Sequence, residues 1–330
     1  MPDFTLHTYK RLLETLLSKN YSFQAFSQYL KEPAHRSVIL RHDVDAKKMN
    51  SLQTARLEYE MGIAGTYYFR MVPGSFDEDV IRKIHKLGHE IGYHYEDVSA
   101  CAARGRRFLA RSRGLLEDHP GDGFDKTPTT EADNGMVRGN GSRAQDGKEL
   151  QNQLVADAIR SFRNNLGVLR RIVPVETICM HGSPLSRWDN RLLWQYYDFH
   201  DFGISGEPYF DLDFDKILYL TDTGRRWDGG SVSVRDKAMR RQRDEKAEEL
   251  RDPGMEERKN EEQRATVYRF RSTFDIINSA ENNSLPDKIM LTIHPQRWTD
   301  KPFPWLRELI WQNVKNIGKA IIVAGANAKD

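Results

Sequence analysis

The chain has 330 residues, enough for one large α/β barrel or two ordinary domains. Its 50 basic and 48 acidic residues leave a formal charge of +2, so nothing global suggests nucleic acid. Two cysteines make no disulfide framework, and no apolar run approaches the ~18 residues of a membrane span. The first residues carry no signal-peptide core, so a cytoplasmic protein without nucleic-acid or membrane partners is expected.

In chain order, "MPDFTLHTYKRLLETLLSKNYSF" predicts an amphipathic helix with Leu12, Leu13, Leu16 and Leu17 on one face. It belongs to an N-terminal helical segment, residues 1–36, expected to pack on the rest of the chain. "SVILRHDVD" reads as a buried strand and "NSLQTARLEYEMG" as a helix closed by Gly62. "AGTYYFR" is a strand, "DEDVIRKIHKLG" a helix and "HEIGYHYED" another strand. From Cys101 to Gly147, Gly, Arg, Asp and Thr crowd out regular signals, and a long loop is expected. A helix resumes in "KELQNQLVADAIRSFRNNLGVL", followed by the strand "ETICMHG" and a helix around "RWDNRLLWQYY". Strands are expected within "FGISGEPYFDLDF" and "KILYLTDTG". Residues 235–264 are almost wholly charged and form a second insertion. The helix "RFRSTFDIINSAEN", the strand "KIMLTIHP", a helix around "PWLRELIWQNVKN" and a short apolar run "KAIIVAG" complete the chain.

Alternating strands and helices favour a parallel sheet, open or closed into a barrel. Asp43, Asp45, Arg70, His94, Glu96, Asp97, His181, Asp222 and His294 all fall at or just past the C-terminal end of an expected strand. Parallel β/α barrels build their active sites at that rim. Side chains alternate along a strand, so Asp43 and Asp45 share a side, and their mutual repulsion calls for a cation or a shared proton. Carboxylate and imidazole ligands from separate strands suit zinc, or a harder ion such as manganese or nickel. Asp43 and Asp45 fit base and ligand, His94 fits a ligand and His294 an acid, which together describe a metal-dependent hydrolase.

The order of these motifs resembles the polysaccharide deacetylase family (carbohydrate esterase family 4, NodB-like). That family has a distorted (β/α) barrel and removes N- or O-acetyl groups with a divalent metal. "RHDVD" is similar to its first motif, which implies Asp43 as catalytic base and Asp45 as metal ligand. "GHEIGYHYEDVS" is similar to its second motif and implies His94 as a metal ligand, with His89 on a histidine that is not one. "LTIH" is similar to its last motif and implies His294 as the acid. The likeness runs from about Ser37 to Pro295, interrupted by the two insertions. It implies a barrel of about seven strands, residues 37–330, and a carbohydrate substrate. Zinc is the expected ion, with manganese, nickel or cobalt as substitutes.

The chain departs from that pattern where the family has its second metal histidine, because Val98 stands there. His181 in "CMHGSP" is preferred as third ligand, since imidazole then replaces imidazole, with Asp97 as the alternative. The usual arginine-proline substrate wall is absent as well. "HGSP" and "TDTGRRW" are expected to replace it, with Arg70, Asp222 and Arg225 binding polar groups and Trp227 stacking on a sugar ring. Such divergence resembles deacetylase-like proteins of surface-polysaccharide gene clusters. Two alternatives stay open: a degenerate barrel that only binds saccharide, and a hydrolase of another C–N bond such as a cyclic amide. Tyr67, Tyr68, Phe69, Cys179, Trp305 and Trp311 are expected to be packing residues, and His85 to lie on an outer helix face.

Overall fold

The structure, a computed structural model, describes residues 2–112, 143–182, 186, 188–227, 268 and 270–313. Seven strands make one sheet, parallel at every pairing: β1 (Ser22–Gln24), β2 (Ser37–Val44), β3 (Thr66–Phe69), β4 (Glu90–Tyr95), β5 (Ile178–Met180), β6 (Leu218–Thr221) and β7 (Lys288–Ile293). The strand order is β5-β4-β3-β2-β7-β6, with β1 beside the first half of β2. The protein is therefore α/β, but the sheet curls into a half-barrel instead of the closed barrel expected. Among the described residues β5 and β6 are edges, with an isolated parallel bridge from Thr177, just before β5, to Gly206.

The helices are α1 (Leu6–Ser18), α2 (Phe26–Lys31), α3 (Lys48–Glu60), α4 (Glu78–Lys86), α5 (Asp97–Ser112), α6 (Arg143–Arg170), α7 (Pro208–Asp211), α8 (Thr273–Glu281) and α9 (302–313). Thr5 caps α1 by accepting from the amide of Thr8, a bond worth about 1 kcal/mol. α1 then lays Tyr9, Leu12, Leu13 and Leu16 against the sheet, while Leu17 points to solvent. Fully burying each such side chain stabilises by roughly 1.5–3 kcal/mol.

Central β2 explains the fold, because all eight of its residues are buried. Val38 and Leu40 join α1 and α8 in one outer core, and Val44 joins α3, α4, α5 and α6 in another. Ile39, of opposite parity, meets Phe26, Leu212, Ile217 and Met290 on the concave side. That inner cluster plugs the N-terminal end of the half-barrel and leaves Arg41 and Asp43 above it. Gly92 is required by close packing, since a Cβ there would sit 2.3 Å from the ring of Tyr68.

Several elements differ from the sequence expectation. β1 and α2 lie within the segment read as helical throughout. The loop expected from Cys101 begins as the helix α5, while residues 113–142, 235–264 and the "KAIIVAG" run lie outside the described residues. "FGISGEPYFDLDF" yields α7 instead of a strand, because Glu207 caps α7 by accepting from the amide of Tyr209 and Pro208 opens it. "NRLLWQ" forms a 3-10 helix. On α9 Trp305 is half-buried and Trp311 is 54 % exposed, so neither is a core residue. No helix among the described residues is long and apolar enough to cross a membrane.

Candidate metal centre

Asp43 stands near the end of β2, and Asp45 follows directly after the strand. The amide of Asp45 donates to the carbonyl of Asp43 (3.1 Å), a tight turn that keeps both carboxylates on the concave side. Three histidines converge on them from other strand ends. His94 Nε2 lies 3.5 Å from Asp43 Oδ2 and 3.6 Å from Asp45 Oδ1. His181 Nε2 lies 3.5 Å from the same Asp45 Oδ1. His294 Nε2 is 3.9 Å from Asp43 Oδ2 and 3.8 Å from Asp45 Oδ2.

Two of the three imidazoles are held by hydrogen bonds at the other nitrogen. His94 Nδ1 meets the carbonyl of Cys179 at 2.9 Å, and His294 Nδ1 meets Asp222 Oδ1 at 2.5 Å. His181 Nδ1 is 3.0 Å from Glu96 Oε2, within ion-pair distance but without hydrogen-bond geometry. Anchoring one ring nitrogen fixes the tautomer and aims the other at the site.

The two aspartates differ in what already holds them. Arg41, of the same parity on β2, donates from Nε and Nη2 to both oxygens of Asp43, each at 2.7 Å. Burial alone would raise the Asp43 carboxyl, but Arg41, with help from His94 and His294, holds it far below the usual carboxylate range. Asp45 is lowered too: burial pushes it up, and the imidazoles of His181, His294 and His94 outweigh that. Its Oδ2 accepts from Gln296 Nε2 at 3.3 Å, while buried Oδ1 has no hydrogen bond. Burial brings His94 down to about 4, so at neutral pH it presents the uncharged imidazole that a metal requires.

Asp45, His94 and His181 can therefore hold a metal ion, their donor atoms lying within 4.8 Å of one another. An unpaired buried carboxylate oxygen facing two imidazole nitrogens fits a divalent cation, and the N/O set suits zinc and its first-row neighbours. Asp43, His94 and Cys179 form a second close group. There both carboxylate oxygens are engaged by Arg41, whose charge opposes a cation, so the Asp45 group is the better holder.

Asp97, the alternative third ligand, points away from the centre. It accepts from Tyr93 Oη (2.6 Å), Ser161 Oγ (2.7 Å) and Asn165 Nδ2 (2.9 Å), and burial raises it to about 6. Val98 is fully buried in the outer core, so helix α5 turns that position away from the rim. His89 takes the amide of Gly65 on Nδ1 and meets the carbonyl of Ala55 with Nε2, clear of the site.

Three expected substrate-binding residues are committed to other work. Asp222 is fully buried and accepts from His294 N (2.9 Å), Trp298 Nε1 (2.7 Å) and Arg297 Nη1 (2.6 Å) besides His294 Nδ1. Burial would raise it, yet Arg297 and then His294 keep it low, so it orients His294 instead of meeting a ligand. Arg225 packs against the rings of Phe4 and Trp305 and donates to the carbonyls of Trp305 and Asp3 (both 3.2 Å), tying the N-terminus to α9. Trp227 is buried beside Phe4 and Trp298 and donates Nε1 to Thr273 Oγ1 (3.0 Å), which leaves no free face for a sugar. Arg70 does lie near the rim, but its guanidinium is bound to Glu96.

Sequence reasoning missed the roles of Arg41 and Glu96. Arg41 was legible in principle, because it shares the parity of Asp43 two residues on. The Glu96 contact depends on which way β5 delivers His181 and has no local signal. Comparison with protein-family models, curated proteins and solved structures finds no match to this chain.

Proposed function

We propose that this protein is a metal-dependent hydrolase that removes an acetyl group, N- or O-linked, from a carbohydrate. The observation that carries the metal part is the unpaired Asp45 Oδ1 facing His94 Nε2 and His181 Nε2, with Asp43 and His294 beside it. The acetyl and carbohydrate parts rest on the likeness of "RHDVD", "GHEIGYHYEDVS" and "LTIH" to polysaccharide deacetylases.

In this reading a divalent ion, zinc or one of its neighbours, held by Asp45, His94 and His181, would supply Lewis-acid polarisation of the acetyl carbonyl. Asp43 is ionised at every working pH because Arg41 keeps it so, and it takes the proton of the attacking water. A C–O bond forms at the carbonyl carbon, and the C–N or C–O bond to the sugar breaks. His294 delivers its Nε2 proton to the leaving nitrogen or oxygen, with Asp222 holding the opposite ring nitrogen. Acetate and the free amine or hydroxyl are the products.

The test is acetate release from a panel of N-acetylated amino sugars and O-acetylated sugars, with cyclic amides alongside, by protein loaded with zinc, manganese, nickel or cobalt. Turnover of acetylated sugars that disappears with a chelator supports the reading. Turnover of cyclic amides alone would replace the substrate class, and tight saccharide binding without any turnover would make the barrel a binding module.

A further inference from the structure

His181 reaches the centre from β5, whereas the position four residues after His94 is spent on the outer core as Val98. A ligand delivered from a different strand needs its own support. His94 obtains that from the Cys179 carbonyl beside it in strand register, and His294 from Asp222. The group facing the same nitrogen of His181 is Glu96, with Oε2 3.0 Å from Nδ1.

Glu96 is itself fixed. Arg70 Nε (3.0 Å) and Nη2 (2.7 Å) donate to Oε1, and Nη2 also donates to Oε2 at 2.7 Å. The amide of Arg70 donates to Ser75 Oγ at 3.0 Å, and that hydroxyl donates to the carbonyl of Val44, the residue before Asp45. A continuous chain of contacts, Val44 to Ser75 to Arg70 to Glu96 to His181, thus links the strand ends that carry Asp45 and His181. An ordinary rim ion pair would satisfy Arg70 and Glu96 alone and would have no reason to meet an imidazole nitrogen.

We infer that Glu96, clamped by Arg70, is the positioning residue that sets the ring of His181 for the ion. Carboxylate contact at Nδ1 places the proton there and leaves the Nε2 lone pair facing Asp45 Oδ1. The inference rests on the metal-centre reading given above and extends it to residues outside the ligand set.

The experiment measures Co2+ and Zn2+ dissociation constants by chelator competition, together with the visible spectrum of the Co2+ form. Wild type, Glu96→Ala, Glu96→Gln and His181→Ala are compared, with thermal unfolding of each metal-free protein as the folding control. Glu96→Ala is expected to weaken the ion by roughly 10- to 100-fold and to change the Co2+ absorption. Glu96→Gln keeps an acceptor for Nδ1–H and should recover part of that loss. Wild-type affinity and spectrum in Glu96→Ala, with the ion lost in His181→Ala, would overturn the inference while leaving the metal centre standing. Failure of the wild-type protein to take up either ion would instead overturn the reading on which the inference rests.

Discussion

Replacing Arg41 by methionine isolates the energetics of the centre. Arg41 is 1 % exposed and Asp43 3 %, and the pair shares two 2.7 Å bonds. Removing one partner of a buried ion pair costs roughly 3–5 kcal/mol, because the other charge is left uncompensated. The stranded Asp43 can limit that loss by taking a proton. At 1.36 kcal/mol per unit, neutralising an ordinary aspartate of pKa ~3.9 at pH 7 costs about 4 kcal/mol, which agrees with that range. At pH 5 the same limit falls to about 1.5 kcal/mol. In the wild type the folded carboxyl is depressed, so its contribution is fully present above ~3.9 and is lost only as pH falls through the lower folded value. The gap between variant and wild type should therefore shrink from about 4 kcal/mol at pH 7 to about 1.5 at pH 5. Urea unfolding in the presence of a chelator measures it, and Arg41→Met combined with Asp43→Asn should recover most of the loss. A gap that is unchanged between pH 5 and 7, or below about 1 kcal/mol at pH 7, would refute the reasoning.

Asp45→Ala and His94→Ala should each lose the divalent ion by direct metal analysis, whereas His89→Ala should retain it and lose stability through its Gly65 and Ala55 contacts. His181→Ala should weaken the ion more than Asp97→Asn, judged by chelator competition. Because burial raises Asp97 to about 6, the folded state holds its proton longer than the unfolded state does. Its contribution to stability therefore falls as pH rises from ~3.9 to about 6, and Asp97→Asn should remove that slope from unfolding curves taken across the window. Asp43→Asn and His294→Ala should keep the ion but lower turnover by roughly 10²–10⁴, with activated acetyl esters less affected by His294→Ala than amides are.

The sequence carried the centre better than its surroundings. Alternation along "RHDVD" placed Asp43 and Asp45 on one side, and the apolar runs ahead of His94, His181 and His294 put all three at strand ends. Those inferences depend on a period of two, which survives burial. Arg225 and Trp227 defeated the same reasoning, because the backbone turns left-handed at Gly224 and Arg225 just past β6 (φ 71° and 59°) and the parity is lost. The open edge between β5 and β6 was illegible for another reason: closure depends on how far a sheet curls, a property summed over every strand. α7 and β1 were missed because segments of three or four residues are decided by a cap or a neighbour, not by periodicity.

An unclosed sheet has mechanical consequences for the residues gathered at its rim. β2 carries both aspartates at the middle; β4 and β5 bear two imidazoles on one flank, while β6 and β7 bear Asp222 and His294 on the other. A closed hoop would resist any change of width, but this one resembles a cupped hand whose palm is β2. Its fingertips, β5 of three residues and β6 of four, each pair with one strand among the described residues. Their amides should exchange with solvent ahead of those of β2, and a ligand that spans both flanks should slow them.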